Sequence, residues 1–136
     1  MIFDSAVSDG ELLTVRMGVE ITQWDMHEMI GTMPVKGNLQ PYGLLHGGAN
    51  AVLAESLGSL SAALYADTIG KVAVGLELSC THHRSVAEGL VTGVCRPITQ
   101  HRTTVTLEIV INDEHGRRTC TSRLTCILLD KSTDRP

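Results

Sequence analysis

Residues 40–59 read Gln-Pro-Tyr-Gly-Leu-Leu-His-Gly-Gly-Ala-Asn-Ala-Val-Leu-Ala-Glu-Ser-Leu-Gly-Ser. Pro41 and Gly43 mark a turn, and a long, almost uncharged run begins at Gly47. Ala, Leu and Val fall on nearly every side of this run, which predicts a helix over Gly47–Ala66 wrapped by protein on all sides. Before Asp67 its only charged side chain is Glu55. Burying a carboxylate on an apolar helix costs free energy unless the group is paired, hydrogen-bonded or protonated. Backbone amides at a helix start carry partial positive charge and so stabilise a partial negative charge set against them. An amide-rich start and a single acid therefore read as a site that polarises and attacks a carbonyl.

Working outward, residues 36–46 form a loop by their Lys-Gly-Asn, Pro and Gly content, and residues 18–35 alternate loosely as a strand or bent hairpin. A short helix around Asp9–Arg16, started by Ser8 or Asp9, is expected in an otherwise ambiguous N-terminal extension over residues 1–16. Four strand-like runs follow the helix: Lys71–His82, Gly89–Pro97, Thr103–Asn112 and Arg117–Leu129. Asp113-Glu114-His115-Gly116 between the last two has the glycine that hairpin loops favour. One buried helix followed by an antiparallel meander is an α+β pattern, a curved sheet around a helix. Lys131–Pro136 reads as a frayed tail. No repeat or linker divides the chain, so residues 1–136 are expected to form one domain.

Composition excludes several classes of function. A net charge of −4 and four aromatic residues leave neither the basic field nor the stacking surface that nucleic acid needs. No apolar stretch reaches the roughly 20 residues of a membrane span. Cys80, Cys95, Cys120 and Cys126 have no Cys-x-x-Cys spacing, and the start of the chain lacks the pattern of a secretory signal. The thiols read as small buried hydrophobes, with neither a disulfide framework nor a zinc site, and a cytoplasmic protein is expected. No cofactor or metal is called for.

Spacing sharpens the carbonyl reading. Gly47 and Glu55 are eight residues apart, so they stand roughly 12 Å apart along a helix axis. A catalytic acid and a polarising amide must converge within about 3 Å of one carbon. One chain cannot achieve this, whereas two helices packed antiparallel across a two-fold axis can, with two composite sites per homodimer. Glu55 and Ser59 share a helix face. The plainer alternative is a structural Glu55 satisfied by a neighbouring subunit and a packing Ser59. His46 would bond the loop or a substrate oxygen, or serve structure alone. His82 and His83 face opposite sides of a strand, so at most one turns toward the helix. Arg84, Arg96, Arg102 and His101 read singly as solvated strand ends, or together as receivers of an anionic ligand's phosphates.

The spacing from Gln40 through His46-Gly47-Gly48 and Glu55 to Ser59 resembles the hot-dog-fold acyl-CoA thioesterases. More closely, it is similar to their aryl-CoA branch, which includes dihydroxynaphthoyl-CoA and enterobactin-proofreading enzymes. The likeness runs on through Val74-Gly75-Leu76-Glu77, His82-x-Arg84-Ser85-Val86-x-Glu88-Gly89, Gly93-Val94-Cys95-Arg96-Pro97 and Ser122-Arg123-Leu124-Thr125. It implies hydrolysis of an acyl-CoA, with an aromatic acyl group, by a hot-dog domain. In that family's pattern Glu55 matches the carboxylate, acting as nucleophile or general base, and Gly47 the amide that polarises the thioester carbonyl. Gln40 and His46 match polar groups around that carbonyl or the leaving thiolate. Ser59 and His82 match residues that orient the water or acyl group, and Arg84, Arg102 and Thr103 are candidates for coenzyme A contacts. The resemblance also implies sites shared between subunits and dimers paired into tetramers. Rival readings are a thioesterase for acyl or aryl carrier proteins and a non-catalytic acyl-CoA binder, with a hydratase on the same fold weaker than either.

Overall fold

The structure, a computed structural model, describes residues 7–132. Ser8 opens a 3-10 turn over Asp9–Glu11, its hydroxyl 2.9 Å from Glu11 Oε2, and a single helical turn α1 (Leu13–Arg16) follows. The 18–35 segment is a hairpin of β1 (Glu20–Gln23) and β2 (Met29–Pro34). Helix α2 spans Gly47–Thr68, two residues past the expected Ala66. Gly70, at φ +71°, then reverses the chain into β3 (Lys71–His82), a left-handed conformation that glycine adopts without a Cβ clash. β4 (Leu90–Gln100), β5 (Thr104–Asn112) and β6 (Arg118–Asp130) complete an antiparallel sheet of order β1-β2-β4-β5-β6-β3. Asp113–Gly116 forms the expected β5–β6 turn, with the Gly116 amide bonded to the Asp113 carbonyl.

One part of the expected meander is corrected. β3 does not pair with β4, its neighbour in sequence. It lies beyond β6 at the edge, paired from Lys71↔Asp130 to His82↔Cys120, while β4 pairs with β2 and β5. Residues 83–89 carry the chain from that edge back to β4 past the start of α2. A bulge between Gly75 and Glu77 leaves Leu76 as the extra residue of β3.

The sheet curves around α2, and Leu53, Ala54, Leu57 and Ala62 are buried against Leu107, Ile109, Ile111, Leu124, Cys95 and Cys126. Full burial of a side chain such as Leu57 contributes about 1.5–3 kcal/mol. Close approach depends on missing side chains: a Cβ on Gly93 would lie 2.6 Å from Leu57 Cδ1. The expectation of a helix covered all round also needs correcting. Val52, Ser56, Ser59 and Ala63 are only half-buried and Glu55 is exposed, so one face of α2 lies open. Glu55 therefore avoids the desolvation cost by facing solvent within one chain.

Candidate active site

His46 is the N-cap of α2, and it uses both backbone and ring. Its Nδ1 accepts from the Gly48 amide at 2.8 Å and its carbonyl accepts from Ala49 at 2.9 Å. The Gly47 amide finds no acceptor among the described residues, so one N–H at the positive end of the helix dipole stays free for a ligand.

Around that amide lies a pocket of about 360 Å³ lined by Gln40, Leu44, Gly47, Asn50, His82 and Arg84 among others. Gln40 closes its own loop: its side-chain oxygen accepts from the Tyr42 amide, and its carbonyl accepts from Gly43 at 2.9 Å. His82, at the end of β3, lays its ring against the helix start, where a Cβ on Gly47 would sit 3.0 Å from Nε2. Asn50 Nδ2 lies 3.3 Å from His82 Nδ1, tying α2 to the edge strand. His83 turns the other way, with Nε2 2.9 Å from Thr121 Oγ1. The ionisable residues that contribute to the pocket wall are His82, His83 and Arg84, with no carboxylate among them.

Glu55 lies elsewhere, on the open face of α2 with Ser59, and makes no hydrogen bond or ion pair with another described residue. A Cβ on Gly75 would sit 3.2 Å from Glu55 Oε1, so the carboxylate rests over β3 beside its bulge. Burial pushes the Cys126 thiol up to about 11, and the charge of Glu55 adds to the shift. The structure thus groups Gln40, Gly47 and His82 with Arg84, and Glu55 with Ser59, as two separate sets within the chain. His46 stands behind the first set as the helix cap. Arg102 and Thr103 lie in the β4–β5 turn beside His101, whose carbonyl accepts from Tyr65 Oη at 3.3 Å. Tyr65 is eighteen residues beyond Gly47, roughly 27 Å along α2, so within one chain these two residues are remote from Arg84. Arg96 is held by Glu28 at 2.6 Å, which keeps the Glu28 carboxyl below its usual range.

Sequence reasoning passed over Asn50. The available signal was a lone amide side chain three residues after Gly47, on the same face of an otherwise apolar helix.

A helix cupped by one curved antiparallel sheet, its amide-rich start opening into a pocket, defines a hot-dog protein built to handle an acyl carbonyl. The family model described as Thioesterase superfamily matches residues 42–120. Proofreading thioesterase EntH of Cronobacter turicensis is 46% identical over 126 residues, covering 92% of this chain and 90% of that protein. A variant of thioesterase PA1618 from Pseudomonas aeruginosa superposes with a TM-score of 0.84 at 37% identity, over 89% of this chain and 88% of the other. Thioesterase HI1161 from Haemophilus influenzae gives 0.82 at 31% identity, over 96% of both chains. The chain belongs to the thioesterase superfamily, and it is a hot-dog thioester hydrolase.

Proposed function

We propose that the chain hydrolyses acyl-CoA thioesters, preferring an aromatic acyl group, at sites completed by a second copy of itself. The observation that carries this reading is the separation just described. The pocket holds a free amide and basic side chains without a carboxylate among its lining residues, while an exposed carboxylate with no partner among the described residues stands roughly 12 Å up the same helix. An antiparallel copy brings Glu55 of one subunit to the pocket of the other. The open face of α2 adjoins β3, an edge strand with exposed Val72, Val74 and Leu76, and together they offer that copy an apolar surface.

In the composite site the Gly47 amide polarises the thioester carbonyl, and Glu55 attacks it directly or removes a proton from the attacking water. Gln40 and His82 orient the carbonyl, with His46 holding the helix start in place. Ser59, on the face of Glu55, orients the water. Arg84 from one subunit, with Arg102 and Thr103 from the other, receives coenzyme A phosphates. Further pairing of dimers into a tetramer is part of the same reading and is supported by the family resemblance alone. Four free thiols support residence in the cytoplasm.

The test mixes two inactive variants, Glu55→Ala and Gly47→Pro. Random reassortment leaves one intact site in each mixed dimer, so about a quarter of wild-type thiol release returns. Failure to recover activity in verified mixed dimers refutes the shared site. A panel of aliphatic, benzoyl and naphthoyl thioesters tests the acyl group, and faster turnover of the aliphatic ones refutes the aromatic preference.

A second reading, hydrolysis of acyl groups on a carrier protein, is favoured by Tyr42. It stands 90% exposed on the loop that carries Gln40, where a docking protein would meet it. Comparing the same acyl group on coenzyme A and on a carrier separates the two.

A further inference from the structure

Asn50 is poorly suited to its position by helix propensity, and desolvation counts against it as well. It lies in the first turn of α2 with 5% of its surface exposed, and its Oδ1 is buried without a partner among the described residues. Among the described residues its side chain makes one hydrogen bond, between Nδ2 and His82 Nδ1 at 3.3 Å. As the structure orients the amide, its NH₂ faces the ring; an NH₂ donates and cannot accept, which makes Nδ1 the acceptor and leaves the ring proton on Nε2. Nε2 is the ring atom that overlies Gly47. No carboxylate lines the pocket to draw the proton back to Nδ1.

From this juxtaposition we propose that Asn50 is a positioning residue. It holds His82 as the Nε2–H tautomer, so that the imidazole and the free Gly47 amide form a two-donor cradle for the thioester carbonyl oxygen. The inference rests on the hydrolase reading above for its chemistry, though the tautomer itself does not. No proton changes hands in this role: as the carbonyl oxygen gains negative charge, both donors shorten their bonds to it. An acceptor at residue 50 would reverse the ring, place a lone pair where the oxyanion forms, and oppose the reaction.

The test combines nitrogen-15 NMR of the histidine rings in the full-length protein with steady-state kinetics, the His82 signals being identified by their absence in His82→Gln. In the wild type, Nε2 of His82 carries the proton. In Asn50→Asp the ring adopts the Nδ1–H form, and kcat falls on the order of 10²-fold with KM within about threefold. Asn50→Ala, which removes the partner without reversing it, gives a mixture of tautomers and a smaller loss of kcat. This variant keeps the proposal testable should the aspartate variant fail to fold. An Nδ1–H wild-type ring overturns the proposal, as does Asn50→Ala with an unaltered tautomer population and unaltered kcat. A wild type that binds but never cleaves thioesters refutes the hydrolase reading instead, and the NMR result still decides the tautomer.

Discussion

Gly75 of β3 lies directly beneath Glu55 of α2: a Cβ on the glycine would sit 3.2 Å from the carboxylate oxygen. The strand thus offers the acid a surface without a side chain at the point where the bulge of Leu76 displaces the edge outward. Glu55 is steered by shape alone, since it has no described hydrogen-bonding partner, and it remains available to substrate or to a second subunit.

Replacing Glu55 by Gln or Ala should lower kcat by about 10²–10⁴-fold, the range associated with loss of a general base. Because the group is exposed and unpaired, the melting temperature should hardly move. Thiol release and thermal unfolding on the same samples check both statements, and near-normal turnover would remove Glu55 from the mechanism.

Gly47 offers a way to delete one N–H. It is the first helical residue, where proline is well accepted, and His46 before it has φ −65° and ψ 131°, a geometry that a following proline tolerates. Gly47→Pro should leave α2 folded while reducing kcat by about 10²–10³-fold. Gly47→Ala keeps the amide and adds a Cβ 3.0 Å from His82 Nε2. It reports the steric part alone, and its loss should be clearly smaller.

Gly58 tests the packing that lets α2 approach the sheet. Gly→Ala in a helix interior ordinarily stabilises by about 1 kcal/mol. Here a Cβ would meet Leu124 Cδ2 at 2.5 Å and Leu124 Cβ at 3.3 Å, inside a closed core. Overpacking of about 1–3 kcal/mol wins, so Gly58→Ala should lower the melting temperature in urea or heat denaturation.

Asp113 ties the β5–β6 turn. Burial alone would push its carboxyl up, but the Arg117 amide and guanidinium and the His115 amide outweigh it, and the group sits below its usual value. A lowered folded pKa contributes stability above the unfolded value and loses it as pH falls through the folded one. The melting temperature of Asp113→Asn should therefore lie below wild type by a constant amount from pH 7 to about 5, and the gap should close in more acid solution. A gap that widens on acidification would contradict this.

Thiol reactivity should be uneven. Burial pushes Cys95 up to about 12 and Cys126 up to about 11, and raises Cys120 as well, whereas Cys80 is only half-buried. A disulfide reagent applied to the native protein should label about one thiol per chain rapidly and the remainder only on unfolding. Mass spectrometry should place the fast label on Cys80.

Much of this architecture was legible in residues 40–59 because local signals there agree: a turn, a helix start and an apolar run without a breaker. The hairpin at Asp113–Gly116 was legible for the same reason. The edge position of β3 was not, since strand order depends on a crossing connection that has no periodicity of its own. Nor was the exposure of Glu55 foreseeable from an apolar helix, because composition records which residues avoid water and not which face of a helix the folded chain leaves uncovered. Asn50 and His82 are thirty-two positions apart. Only the fold brings them together, and periodicity within either segment carries no trace of the contact.

The unbroken helix from Gly47 to Glu55 also constrains how this protein can diverge. Inserting or deleting a single residue between them would rotate the acid by about 100° about the axis, away from Gly75 and the open face. Substitutions there can be absorbed one at a time, but a change in length scrambles the angular phase between donor and acid at once. The segment therefore behaves as a ruler of fixed length, and a one-residue insertion there should lower activity far more than one in the loops at either end.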